Sequence, residues 1–212
     1  MTEGPGLLVM DVDSTLIEQE VIELIAERAG TRELVAEVTA RAMRGELDFA
    51  ASLRERVATL AGVPQGVFAE VLAEVRPTQG AAELIEALHA RGCRVGVVSG
   101  GFEEVVVPLA ERLGIDHVAA NRLEVVEGRL TGRVMGRIVD RQEKVRCLIA
   151  WAQQDGVPME RTIAVGDGAN DLGMLEAAGL GVAFCAKPVV VEQADAAIHV
   201  RDLRAVLQLI GG

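Results

Sequence analysis

Apolar positions follow two patterns, and the two occupy different stretches of the chain. Leu7-Leu8-Val9-Met10 and Thr162-Ile163-Ala164-Val165 are short aliphatic runs. Such runs mark strands covered on both faces, as in a parallel sheet. Arg94-Val95-Gly96-Val97-Val98 reads likewise and ends at Ser99-Gly100-Gly101, where the chain turns into a helix from Glu103 to Leu113. From Glu18 to Val75 the spacing is helical. Val21, Ile22, Leu24 and Ile25 share one face, and Leu34, Val35 and Val38 a second. Leu53, Val57 and Leu60 form another, as do Val67, Val71, Leu72 and Val75. Gly30, Gly45, Gly62 and Pro64 fall where these helices would end.

Beyond Pro77 strands and helices alternate. The pattern predicts a helix reaching about Arg91, a strand at His117–Ala120 and a hairpin over Leu123–Val134 turning at Glu127-Gly128. It then predicts helices at Arg141–Gln154 and Asp171–Ala178, strands at Leu180–Phe184 and Ala196–Val200, and a last helix at Leu203–Ile210. This order implies an α/β fold with a doubly wound, mainly parallel (Rossmann-like) sheet. An all-helical cap is inserted after the first strand. The expected division is a catalytic core of residues 1–17 and 77–212 and a cap, or lid, of residues 18–76.

Composition narrows the classes of partner. Half of the 212 residues are hydrophobic, but only four Phe, one Trp and no Tyr are present. The core must therefore be aliphatic, and stacking on nucleobases is not expected. A formal net charge of −11 argues against nucleic acid and anionic membranes, which both need a basic surface. A phosphate-bearing substrate would need a few placed cations. Cys93, Cys147 and Cys185 make no paired motif and read as reduced thiols. No apolar stretch approaches the ~20 residues that span a bilayer. A cytoplasmic protein, monomeric or homodimeric, is expected.

The chemistry concentrates at strand and helix ends. Asp11-Val12-Asp13-Ser14-Thr15 follows the first strand, and Gly166-Asp167-Gly168-Ala169-Asn170-Asp171 follows a strand far downstream. In a parallel sheet both would open onto one crevice at the carboxyl ends of the strands. Clustered carboxylates repel one another unless a hard cation neutralises them, and Mg²⁺ favours oxygen ligands. Asp11 can act as a nucleophile and Asp13 as an acid and base beside it. Ser99-Gly100-Gly101 offers a hydroxyl and main-chain N–H groups to an anion. Lys144 sits in the first turn of its helix, where the dipole disfavours a cation unless an anion faces it.

These four segments, in this order, resemble the motifs of the haloacid dehalogenase superfamily. Ile17-Glu18-Gln19-Glu20, Met43 to Phe49 with Arg56, and Ala186-Lys187-Pro188 extend the resemblance, over nearly the whole length, to its phosphoserine-hydrolysing members. The resemblance implies that Asp11 is the nucleophile, Asp13 the general acid/base and Mg²⁺ the cofactor. The ion would be held by the carboxylates of Asp11 and Asp167 and the main-chain carbonyl of Asp13. Ser99, the Gly100 amide and Lys144 would bind the phosphoryl group, Asn170 would contact phosphate or substrate, and Asp171 would orient Lys144 or a metal-bound water. Glu20 would pair with the substrate ammonium and Arg56 with its carboxylate, with Met43 and Phe49 as an apolar wall. The implied reaction is hydrolysis of O-phospho-L-serine through an aspartyl-phosphate, the last step of serine biosynthesis. Only six residues precede the first strand, so feedback through an N-terminal regulatory domain is not expected. Two alternatives stay open: a phosphotransferase or phosphatase for a related amino-alcohol phosphate such as phosphohomoserine, and a non-catalytic protein that binds a phosphorylated ligand.

Overall fold

The computed structural model describes residues 4–43 and 46–211, apart from the side chain of Met43. Met43's expected place in the apolar wall therefore lies outside the described residues, as do Arg44 and Gly45. Among the described residues one seven-stranded sheet organises the chain, in the order β4-β3-β2-β1-β5-β6-β7. The strands are β1 (Leu7–Met10), β2 (Arg94–Phe102), β3 (His117–Val126), β4 (Arg129–Met135), β5 (Thr162–Gly166), β6 (Leu180–Phe184) and β7 (Ala196–Ile198). All pairs are parallel except β3 with β4.

The aliphatic runs explain the centre. Every residue of β1 is fully buried between β2 and β5. Alternation sends Leu8, Met10, Val95, Val97, Ile163 and Val165 to one face and Leu7, Val9, Val98 and Ala164 to the other. The first face packs on α5 (Ala81–Ala90), α6 (Glu103–Leu113) and α10 (Ala205–Ile210). The second packs on α7 (Arg141–Gln154), α8 (Leu172–Ala177) and α9 (Pro188–Val191). Two covered faces are what a doubly wound sheet requires.

Between β1 and α5 lie α1 (Val21–Ala29), α2 (Arg32–Met43), α3 (Phe49–Ala58) and α4 (Val67–Glu74). Their apolar stripes face inward through Ile25, Val35, Leu53, Val57 and Val71. α3 also packs on β4, and α4 on α6, so this helical block rests on the sheet's antiparallel edge and its neighbouring helix.

Several boundaries differ from the sequence expectation. Leu34 is 52% exposed, so only Val35 and Val38 form the buried stripe of α2. β2 does not stop at Val98; it continues through Ser99-Gly100-Gly101 to Phe102, where it still pairs with Asn121 after a register shift. β3 is one strand, parallel to β2 in its first half and antiparallel to β4 in its second, where a separate strand and hairpin arm were expected. The last helix begins two residues later than the pattern indicated, at Ala205. The four-residue α9 had no periodic signal and was not anticipated.

Candidate active site

Register brings the motifs together. Met10 pairs with Val97 on one side and Val165 on the other, so Asp11, Ser99 and Asp167 emerge from one edge of three adjacent strands. β1 is where the winding direction reverses, and a crevice opens at such a point. A cavity of about 280 Å³ lies there, lined by Asp11, Asp13, Gly100, Gly101, Asp167, Gly168 and Asn170 from the core. Glu20, Glu23, Thr39, Phe49 and Arg56 line it from the helical block.

The segment after β1 is a tight loop rather than a continuing strand. Ser14 takes a left-handed conformation with φ +57°, uncommon for a residue bearing a Cβ. Three contacts hold it: its N–H donates to Gln19 O at 3.2 Å, its hydroxyl donates to Glu20 at 2.7 Å, and Arg201 donates to its carbonyl at 3.1 Å. The loop fixes Asp13, whose Oδ1 accepts from the Val21 N–H at 2.8 Å. Its Oδ2 accepts from the Ser99 hydroxyl at 3.1 Å.

Asp11 is buried, and its two oxygens are unequal. Oδ1 accepts from Lys144 Nζ at 2.9 Å and from the Val12 N–H at 2.7 Å. Oδ2 has no hydrogen bond among the described residues. The geometry leaves one carboxylate oxygen of Asp11 free beneath the cavity.

Lys144 is fully buried and lies between two carboxylates, with Asp171 Oδ1 at 2.6 Å on its other side. Asp140 caps the start of α7 by accepting from the Glu143 N–H at 2.8 Å, which sets the first turn that carries Lys144. The second oxygen of Asp171 accepts from the N–H groups of Asp167 and Gly168. That carboxylate is thus fully engaged, tying Lys144 to the loop after β5. Close packing explains Gly166: a Cβ there would come within 2.5 Å of Asp171.

Electrostatics reflects the crowding. Burial, with Asp171 beside it, raises the Asp11 carboxyl well above its usual range. Burial and nearby Glu20 push Asp13 up to about 7. Burial, Asp171 and Glu20 push Asp167 up to about 6. Burial acts to lower Lys144, but Asp11 and Asp171 outweigh it and hold the ammonium firmly charged. Ligand oxygens of Asp11, Asp167 and Asp171 lie within 4.8 Å of one another. One ammonium does not neutralise that set. Because Asp171 is already committed, Asp11 and Asp167 are the carboxylates with oxygen to spare, and a small divalent cation fits their hard donor chemistry.

Toward the helical block, Phe49 approaches the core so closely that a Cβ on Gly100 would lie 3.0 Å from its ring. Arg56 faces Glu20, Asp13 and Glu23, and burial pushes its guanidinium downward against their pull. Of the expected core residues, Asp11, Asp13, Gly100, Asp167 and Asn170 line one cavity with Glu20, Phe49 and Arg56, whereas Ser99, Lys144 and Asp171 are fully buried and are not among its lining residues.

One expected feature is corrected. Ser99-Gly100-Gly101 is strand rather than helix start, because α6 begins at Glu103. A local bond shapes the segment: Ser99 Oγ accepts from the Gly101 N–H at 2.8 Å. Other contributors escaped the sequence reading. Buried Asn121 donates to Gly100 O at 2.8 Å and accepts from the Val139 N–H at 2.9 Å. Thr15 donates to Asp167 at 3.3 Å, and Thr78 donates to Thr15 O at 2.7 Å. Lys187, part of the Ala186-Lys187-Pro188 segment that the sequence singled out without giving it a role, also lines the cavity.

Known proteins bear on this geometry. A family model described as haloacid dehalogenase-like hydrolase matches residues 8–176. A phosphoserine phosphatase of Streptococcus thermophilus is 54% identical over 210 residues, covering 99% of this chain and 98% of that protein. One of Streptomyces coelicolor is 60% identical and covers 97% of this chain, which spans 50% of that longer protein. Among solved structures, a phospho-aspartyl intermediate analogue of phosphoserine phosphatase superposes with a TM-score of 0.92 at 45% identity, covering 98% of this chain and 99% of that one. A substrate-bound phosphoserine phosphatase complex does so with a TM-score of 0.92 at 45% identity, covering 97% of this chain and 98% of that one. Family model, identity and fold agree: this chain belongs to the haloacid dehalogenase-like hydrolases.

Proposed function

We propose that the protein hydrolyses O-phospho-L-serine to L-serine and phosphate, the closing step of serine synthesis, through a phosphoryl group carried on Asp11. The observation that carries this reading is the asymmetry of the Asp11 carboxylate: Oδ1 held by Lys144 and Val12, Oδ2 free at the cavity floor. Relatives of that activity at 54% identity over full length support the choice of substrate.

Asp11 Oδ2 attacks phosphorus in line with the departing serine oxygen. Asp13, raised to about 7, carries a proton near neutral pH and donates it to that oxygen, so serine leaves as the alcohol. Water then attacks the same phosphorus, Asp13 takes the water's proton, and the P–O bond to Asp11 breaks to free phosphate and restore the carboxylate. The Ser99 hydroxyl, the Gly100 amide and Lys144 hold the equatorial oxygens, with Asn170 contributing from the opposite loop. Asp171 keeps Lys144 charged and aimed. Mg²⁺ is the cofactor of this reading, held by the carboxylates of Asp11 and Asp167 and the carbonyl of Asp13. Its charge would offset the repulsion between carboxylate and phosphate dianion.

Glu20 pairs with the substrate ammonium, and Arg56 grips its carboxylate through two parallel hydrogen bonds. Residues 18–76 act as the lid, and the contact of Phe49 with Gly100 belongs to its closed form. Closure excludes bulk water from the acyl-phosphate. Cytoplasmic residence accompanies this reading; among the described residues no helix is long and apolar enough to cross a membrane, and the three cysteines are free.

Substituting Asp11→Asn tests the covalent route. Phosphate release from O-phospho-L-serine falls by more than about 10³-fold, the scale of losing a nucleophile, while the circular-dichroism spectrum is unchanged. Retained turnover excludes an Asp11 intermediate.

A further inference from the structure

Charge at the cavity is unbalanced. Five carboxylates line it, those of Asp11, Asp13, Glu20, Glu23 and Asp167, against the side chains of Arg56 and Lys187. Arg56 is half-buried in the helical block, where its Nε donates to Ser52 O at 3.4 Å and Glu20, Asp13 and Glu23 act on its charge. Lys144 is enclosed between Asp11 and Asp171. Lys187 differs from both. Its ammonium has no hydrogen bond or ion pair among the described residues, and the residue is exposed at the rim.

The main chain fixes where that ammonium is delivered. The Lys187 N–H donates to the carbonyl of Asp167 at 3.2 Å, joining the turn after β6 to the loop after β5. Lys187 also caps α9, with Pro188 following at the first helical position, so the local backbone has little freedom. The side chain therefore starts from the Asp167 wall, where the phosphoryl group is processed, rather than from the helical block that carries Arg56.

A phosphomonoester dianion approaching this rim meets a chain of net charge −11 and a carboxylate-lined mouth. We propose that Lys187 is a substrate-binding residue that captures the phosphoryl dianion at the rim and guides it to the cavity floor. The inference rests on the phosphoserine reading and adds a residue to it. Because Lys187 is exposed, its action is screened by salt and falls on capture rather than on bond breaking.

The test compares wild type with Lys187→Ala and Lys187→Arg. On O-phospho-L-serine, Lys187→Ala raises KM roughly five- to tenfold with kcat within about twofold, as for loss of one exposed steering cation. Lys187→Arg restores most of the difference. Raising ionic strength from about 20 to about 300 mM lowers kcat/KM less steeply in Lys187→Ala than in wild type. Unchanged KM, equal salt slopes, or a kcat loss shared by both variants overturns the inference, the last assigning Lys187 to holding the loops together. Calorimetric titration of inorganic phosphate into the Mg²⁺-loaded protein keeps the two readings apart. If wild type releases no phosphate from phosphoserine, the substrate reading fails; phosphate binding that is equal in wild type and Lys187→Ala sinks the role of Lys187 whatever the substrate.

Discussion

Replacing Lys144 by Met removes the cation between Asp11 and Asp171 while keeping the length of the side chain. Both contacts are short, 2.9 and 2.6 Å, and neither Lys144 nor Asp171 has any exposed side-chain surface. The variant therefore leaves two buried carboxylates facing each other without compensation. Breaking a buried ion pair from one side costs about 3–5 kcal/mol. For a chain of this size each kcal/mol shifts Tm by about 2–4 °C, so Lys144→Met lowers Tm by roughly 6–20 °C in chelator. The deficit has a defined pH dependence. Asp11 is already raised well above its usual range, and removing the ammonium raises it further. A carboxyl whose folded value is raised stabilises the fold at low pH and loses that contribution as pH rises through it. Lys144→Met is therefore closest to wild type in acid and falls furthest behind in base. Adding Asp171→Asn removes one of the two stranded charges and recovers part of the lost Tm without recovering activity. Thermal melts of the four proteins of this cycle, at several pH values without metal, supply the data. A Tm loss under about 3 °C, or a double variant no more stable than Lys144→Met, would refute the charge argument.

Three further outcomes are expected. Gly101→Ala brings a Cβ within 2.7 Å of Asp13 Oδ2 and 3.0 Å of Ser99 Oγ; overpacking of about 1–3 kcal/mol displaces Asp13, and on the proposed mechanism kcat falls at least about tenfold while a melt still shows one cooperative transition. Glu104 keeps one oxygen on the Leu123 N–H at 3.0 Å, while its other is buried without a partner, and burial raises its carboxyl. Its stabilising neutral form is lost as pH rises, so Glu104→Gln has the higher Tm at pH ~8 and loses that advantage at pH ~4; a variant with no advantage at the higher pH refutes it. Arg56→Lys keeps the charge but loses the planar fork, raising KM for phosphoserine about tenfold or more while leaving turnover of a phosphomonoester without a carboxylate within twofold, measured side by side.

How much was legible depended on whether the deciding contacts are local. β1 and β5 could be read because their runs are buried on both faces and need no alternation. The start of α7 was legible because it is set locally, by Asp140 accepting from the Glu143 N–H three residues on. Ser99-Gly100-Gly101 was misread because two glycines suggest a turn; contacts from Asn121, a strand away, keep the segment extended. The aspartates pointed to a shared crevice since strand ends in a parallel sheet must meet. The burial of Lys144 was not legible, because lysines are seldom buried and its partners lie far along the chain. Leu34 shows the reverse error: an apolar residue counted into a helical stripe faces solvent.

β1 sits in the middle of the finished sheet, and its neighbour β5 emerges more than a hundred and fifty residues after it. On the ribosome β1 can pair with β2 early, yet its other edge stays open until the last third of the chain appears. Closing that gap costs loop entropy before any contact repays it. Asp11 and Asp167 are therefore united only once β5 has docked, and a nascent or truncated chain ending before Thr162 exposes an unpaired aliphatic edge, prone to sticking to its own kind.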